Sequence, residues 1–177
     1  DNFIHRAIET ELDSEFGGDF KMMVYLNTVE YAEHIALVKG DLSGPDPVLV
    51  RVHAINVFDD ILGATGPRSD VLKDSMRIIA EEGRGVIVLI RDTTATVVSD
   101  MLLRKGEGGE QGMPRRLREY GVGAQILLDL GIHDMVLQTE TDRGSGGLEG
   151  YGVRVVGQRP LSKAGASAKP RSKEATS

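Results

Sequence analysis

Residues 69–90 read Ser69-Asp70-Val71-Leu72-Lys73-Asp74-Ser75-Met76-Arg77-Ile78-Ile79-Ala80-Glu81-Glu82-Gly83-Arg84-Gly85-Val86-Ile87-Val88-Leu89-Ile90, and two periodicities meet in them. Val71, Leu72, Ser75, Met76, Ile79 and Ala80 recur at the spacing of one helix face, with Ser69 or Asp70 as N-cap and Gly83 as the stop. From Gly85 to Ile90 the run is apolar without interruption, which predicts a buried strand. A helix that delivers the chain into a buried strand is a unit of an α/β sheet.

Upstream of this unit the chain is built of extended runs. Ile8 to Phe16 and Phe20 to Leu26 flank Gly17-Gly18-Asp19 as the arms of a hairpin. His34 to Lys39 and Val48 to His53 are two further strands, separated by the turn-rich Gly40 to Pro47. Downstream, helices are expected at Thr96 to Lys105, with Val97, Val98, Met101 and Leu102 facing inward, and at Arg116 to Leu130. Strands are expected at Met135 to Gln138 and Val153 to Val156. Strands first and alternation afterwards predict an α/β (α+β) domain with a mixed β-sheet and flanking helices. The domain is expected to fill residues 1–161. Residues 162–177 carry four cations, one acid and no large apolar side chain, and are expected to form a disordered basic tail.

The composition removes several functions. A net charge of −6 disfavours tracking of nucleic-acid phosphates. The absence of cysteine excludes disulfides, thiolate metal sites and a thiol nucleophile. No apolar run approaches the ~20 residues that span a membrane. A cytoplasmic protein is expected. The missing initiator Met suggests a piece of a longer chain.

Spacing alone exposes no active site. The four histidines, His5, His34, His53 and His133, lie too far apart for a helical zinc motif, and a cluster of His53 with Asp59 or Asp60 has no support from spacing. The glycine-rich Gly106 to Gly112 carries two acids and reads as a surface loop. Gly144 to Gly150 lacks the third glycine of a dinucleotide fingerprint. Arg115, Arg116 and Arg118 form the densest basic cluster, read either as a solvated helix start or as a phosphate clamp.

Five blocks in order resemble the GTP cyclohydrolase II family, the zinc enzymes that open the guanine ring of GTP in riboflavin synthesis. They are His34 to Asp41, Pro47 to His53, Ile79 to Val86, Tyr120 to Leu127 and Gly147 to Gly152. The resemblance implies a zinc ion held by three thiolates, in Ser-Glu-Cys after the Arg-Val-His strand and in a later Cys-Asp-Cys. Here those places read Ala54-Ile55-Asn56 and Gly66-Pro67-Arg68, so no zinc and no other cofactor is expected. The family's Arg-Gln-Glu-Gly-Arg becomes Arg91-Asp92-Thr93-Thr94-Ala95, and its Asp-x-Arg-Asp/Glu-Tyr becomes Arg116-Leu117-Arg118-Glu119-Tyr120. Its Thr-Asn-Asn-Pro-x-Lys becomes Thr139-Glu140-Thr141-Asp142-Arg143-Gly144.

Arg118, Thr139, Arg51 and Arg143 are the ligand-binding candidates that this comparison leaves. The expectation is a catalytically inactive domain, not an enzyme, with a structural or regulatory role in riboflavin biosynthesis. The resemblance further implies a homodimer and fusion to a 3,4-dihydroxy-2-butanone 4-phosphate synthase. Alternatives stay open: a sensor of GTP, a related nucleotide or a phosphate ligand using the remnant pocket, and an active GTP cyclohydrolase or an enzyme with altered chemistry built on His53 with Asp59 or Asp60.

Overall fold

The computed structural model describes residues 3–104, 113–140 and 148–161. The expected tail at 162–177, the Gly106 to Gly112 loop, Arg143 and Gly144 to Gly147 lie outside them.

Among the described residues the strands are β1 (Ile4–Ser14), β2 (Gly18–Asn27), β3 (Ala32–Lys39), β4 (Val48–Ala54), β5 (Gly85–Ile90), β6 (Asp134–Thr139) and β7 (Arg154–Pro160). The helices are α1 (Val57–Asp60), α2 (Val71–Glu82), α3 (Val97–Arg104) and α4 (Met113–Asp129), with a 3-10 turn at Leu148–Tyr151. One sheet runs in the order β1-β2-β3-β5-β4-β6-β7. The pairs from β1 through β3 to β5 are antiparallel, whereas β5, β4, β6 and β7 run parallel. The mixed sheet expected from the sequence is present. The hairpin closes with Ser14 opposite Gly18.

Alternation along the strands gives the sheet two apolar faces. Phe20, Leu37, Leu49, Ile87 and Leu89 meet Met76 and Ile79 of α2 on one. Met23, Tyr25, Ala36, Val50, Val86 and Val88 meet Val122, Ala124, Ile126 and Leu127 of α4 on the other. β5 is covered on both sides and buried at every residue, which is why its sequence never alternates. The close approach of the β3 exit to the end of α2 needs a glycine at position 40. Its φ is +74°, and a Cβ there would stand 2.2 Å from the Gly83 carbonyl oxygen.

Three local readings need correction. Asp70 precedes α2 but takes a left-handed conformation, and its side chain makes no capping bond. Gly83 does end that helix in the left-handed region (φ +81°). Helix α3 forms, but its apolar side is not covered: Val98 and Leu102 are about half exposed and Leu103 is 68% exposed. Periodicity marks an apolar stripe without showing what covers it. Helix α4 begins at Met113, three residues ahead of the expected Arg116.

The connections create a crevice. The chain leaves β4 and crosses by α2 to β5 on one side. It then leaves β5 and crosses by α4, on the other face, to β6 on the opposite side of β4. The C-terminal end of β4 is therefore a topological switch point, the place where open α/β sheets hold ligands.

Candidate functional site

On β4 the residues Leu49, Arg51 and His53 share one face by the two-residue period. Leu49 packs in the α2-side core. Toward the strand's C-terminal end the same face carries Arg51 and His53, 6% and 0% exposed. A charge buried this deeply costs several kcal/mol unless it is paired and hydrogen-bonded, and both side chains are paired.

Arg51 Nη2 donates to Glu140 Oε2 (3.0 Å), just past β6, and to His53 Nδ1 (3.2 Å). With Nδ1 accepting, the ring proton lies on Nε2, which donates to Asp60 Oδ2 at 2.9 Å. That same carboxylate oxygen accepts the backbone N–H of Asn56 (2.8 Å). Asn56 in turn caps α1 by accepting from the N–H groups of Phe58 and Asp59. Arg68 closes the network, Nε donating to Asp59 Oδ2 (3.2 Å) and Nη1 to Glu140 Oε2. Two guanidiniums thus face three carboxylates.

The electrostatics follow from this pairing. Burial pushes the Arg51 guanidinium below its usual range, although Glu140 opposes the shift. Burial alone would raise Glu140, but Arg68 and Arg51 outweigh it and hold the carboxyl below its ordinary value. For Asp60, too, burial is outweighed, here by the hydrogen bonds from His53 and Asn56, and the net shift is downward. Glu140 and Asp60 are therefore both ionised at neutral pH.

Above this floor lies a cavity of about 660 Å³, lined in part by Asn56, Phe58, Asp59, Arg68, Met101, Arg104 and Glu119. Beside it is a smaller cavity of about 70 Å³, lined in part by His34, Arg91, Thr93, Thr94, Arg118 and Glu119. Glu119 borders both. His34 Nδ1 accepts the Arg91 N–H (3.0 Å), so Nε2 carries the proton. That atom is buried without a partner among the described residues. Burial, followed by the nearby Arg91, lowers the His34 pKa to about 4, so the ring is neutral.

The residues singled out in the sequence fall in different places. Arg118 lines the smaller cavity, with an exposed ion pair to Glu30 at 3.4 Å. Arg51 is engaged in the buried floor. Thr139 is the last residue of β6, next to Glu140, and is not among the residues lining either cavity. Arg143 lies outside the described residues. His53 and Asp60, unsupported by spacing, are in direct contact. Sequence reasoning missed Arg68, Arg91, Glu119 and Glu140 as members of one site. Their common signal is position, since each lies at or beyond the C-terminal end of β4, β5 or β6, or on a helix that follows.

The residues present do not fit a thiolate-held zinc. The chain has no cysteine, and among the described residues no group of three or more His, Asp or Glu could hold a metal. At the places where the resemblance puts thiolates, Asn56 caps a helix and Arg68 brings a cation. Gly66 has φ +142°, a conformation that a residue with a Cβ rarely adopts. Among the described residues no helix is long and apolar enough to cross a membrane.

A sequence model of the GTP cyclohydrolase II family matches residues 5–160. The chain is 36% identical over 176 residues to the riboflavin biosynthesis protein RibBA of Bacillus cytotoxicus, covering 91% of this chain and 43% of the relative. It is 37% identical to the RibBA proteins of Chlorobium phaeovibrioides (89% of this chain, 41% of the relative) and of a Synechocystis strain (91% and 31%). The chain thus spans less than half the length of these curated relatives. A solved structure, RibBX, a two domain 3,4-dihydroxy-2-butanone 4-phosphate synthase from A. baumannii, superposes with a TM-score of 0.58 at 22% identity. It covers 88% of this chain and 40% of the other, a likeness of fold.

These findings overturn the expectation of an inactive, non-enzymatic domain with a structural or regulatory role. The matching family is an enzyme family, and relatives alike over nine-tenths of the chain are riboflavin biosynthesis proteins. The error lay in equating lost thiolates with lost function. Missing thiolates remove one way of activating water, while the scaffold, the cavities and a charged floor remain.

Proposed function

We propose that this chain, which belongs to the GTP cyclohydrolase II family, is an enzyme domain of riboflavin biosynthesis that binds a guanine nucleotide across the C-terminal ends of β4, β5 and β6. The observation that carries the reading is the pair of cavities that share Glu119, one large and bordered also by Asp59, Arg68 and Arg104, and one small with Arg91 and Arg118 at its wall. A guanine ring presents N–H donors that carboxylates accept. A phosphate suits guanidinium groups and the hydroxyls of Thr93 and Thr94.

The chemistry assigned here uses only side chains of this chain. Both ring nitrogens of His53 are engaged and Asp60 is buried, so neither reaches a ligand. Glu140 is held ionised by two arginines and is a weak base. Glu119, half-buried and common to both cavities, is the carboxylate placed to take a proton from an attacking water.

GTP titration of the protein tests the reading. Ligand at 100 times its Kd adds about 2.7 kcal/mol, which for a domain of this size raises Tm by roughly 5–10 °C. Arg118→Ala is expected to weaken GTP about 10- to 100-fold, the worth of a charge-assisted hydrogen bond. Glu119→Gln is expected to leave binding in place while slowing ring opening by about 10²–10⁴, followed by guanine absorbance. A Tm indifferent to saturating GTP would remove the proposal.

The wider setting is part of the same reading. The relatives are more than twice as long as this chain, and the structural neighbour is a two domain 3,4-dihydroxy-2-butanone 4-phosphate synthase. Both support a fusion in which this domain is one part. The exposed Val98, Leu102 and Leu103 of α3, with Ile61 and Leu62 after α1, support a homodimer. Light scattering is expected to give twice the chain mass, and Leu103→Glu to halve it. A wild-type mass of one chain would exclude the dimer.

A further inference from the structure

We infer that Arg68 is the resident cation of this site, and that its guanidinium cross-link between Asp59 and Glu140 does the assembling that a metal would otherwise do. The inference rests on the family reading only for the expectation of a metal. The cross-link itself is argued from three separated pieces of chain.

Asp59 belongs to α1, which follows β4. Arg68 lies in the segment between α1 and α2. Glu140 follows β6. A single guanidinium touches both carboxylates through different nitrogens, Nε to Asp59 and Nη1 to Glu140. It therefore joins the β4 exit, the loop beneath α2 and the β6 exit at one point, as a multidentate ion joins its ligands.

Three observations say that the guanidinium holds this place in preference to an ion. First, Arg68 stands where the resemblance puts a thiolate, and its charge opposes the entry of a second cation. Second, the Glu140 oxygen that Arg68 grips is already shared with a second guanidinium, because Glu140 Oε2 also accepts from the buried Arg51. Third, Gly66, two residues away, has φ +142° with nothing within 4 Å of a Cβ position, so the loop follows a path that a ligating side chain at 66 would strain. Burial would lower the Arg68 pKa, yet Glu140 and Asp59 raise it, so the cation is permanent across the working pH range.

Lysine cannot replace it. An ammonium is a point charge without the planar fork, and it cannot hold two carboxylates in fixed directions.

The experiment uses the whole chain in three parts. Dialysis against a chelator, followed by zinc titration, is expected to leave Tm within 1 °C in both directions. A drop on chelation, or stoichiometric zinc in elemental analysis, would overturn the inference. Arg68→Gln and Arg68→Lys are each expected to lower Tm by about 3–6 °C, a modest loss because the guanidinium is 40% exposed and partly screened. Hydrogen exchange separates a cross-link from a general weakening. Faster exchange in either variant is expected at residues 57–68 and 138–140, with β1 to β3 unchanged. Unchanged exchange in those segments, or full recovery with lysine, would also overturn it. None of these readouts uses GTP, so failure of nucleotide binding would sink the proposed function and leave the cross-link standing.

Discussion

Asp60→Ala is expected to destabilise the domain by about 3–5 kcal/mol, at least roughly a fifth of the stability of an ordinary domain. The reason is geometric. One carboxylate oxygen accepts both the His53 Nε2–H and the Asn56 N–H, at 2.9 and 2.8 Å. His53 is wholly buried and the Asp60 side chain is 4% exposed, so water cannot replace the lost acceptor. Alanine leaves the buried His53 donor and the part-buried Asn56 N–H unsatisfied, at about 1–3 kcal/mol for a buried group. It also frees Asn56, whose side chain fixes the start of α1, and so loosens the segment that carries Asp59. Asp60→Asn separates these effects. Its amide oxygen can accept both donors in place of Oδ2 but carries no charge, so roughly half the loss is expected. Urea unfolding reads the result, with the midpoint falling and the slope m unchanged. A loss below about 1 kcal/mol would mean that His53 finds another acceptor and that the floor is not the rigid unit described.

The sheet was legible in the sequence because its signals are local. Uninterrupted Val86 to Ile90 marks a strand with two covered faces, and the Gly17-Gly18 turn fixes the register of β1 on β2. Helix α2 announced itself by period and by Gly83. The charged floor was not legible, because it is assembled by the sheet order and not by spacing. Arg51 meets Glu140 across 89 residues, and Arg68 meets it across 72. Each arginine taken alone looks like an ordinary surface cation. Only the parallel pairing of β4 with β6 brings the two strand ends together. The same limit hides Arg68. Its partners Asp59 and Glu140 lie in separate segments, and no spacing around position 68 points to either. The inward face expected of α3 failed for a related reason, since an apolar stripe predicts burial without naming the element or chain that provides it.

Glu140→Gln is the change whose cost should depend most on pH. At neutral pH it is expected to lose about 3 kcal/mol, because it leaves the Arg51 guanidinium buried beside a neutral amide. The lower end of the range for a broken buried pair applies, since the Glu140 side chain keeps 32% of its surface in water. In the folded protein Glu140, Asp60 and Asp129 are all held below their ordinary values. For Asp129 burial is outweighed by the Tyr25 hydroxyl, which donates at 2.7 Å, and by Arg6. A carboxyl with a lower pKa when folded binds its proton later than the unfolded chain does. The stability it contributes is complete above about pH 5 and drains away as pH falls through the folded values. The wild-type protein should therefore show an acid limb shared among these three groups and the exposed Asp41, which the Ser43 hydroxyl and N–H also hold down. In Glu140→Gln one of them is gone, so the limb is shallower. The difference between variant and wild type should shrink steadily toward low pH, where protonated Glu140 is itself a neutral acceptor and donor much like glutamine. Urea midpoints measured from pH 7 down to pH 3 test this directly. A gap that stayed constant with pH would show that Glu140 acts by its shape and not by its charge, and the ionic account of the floor would have to be given up.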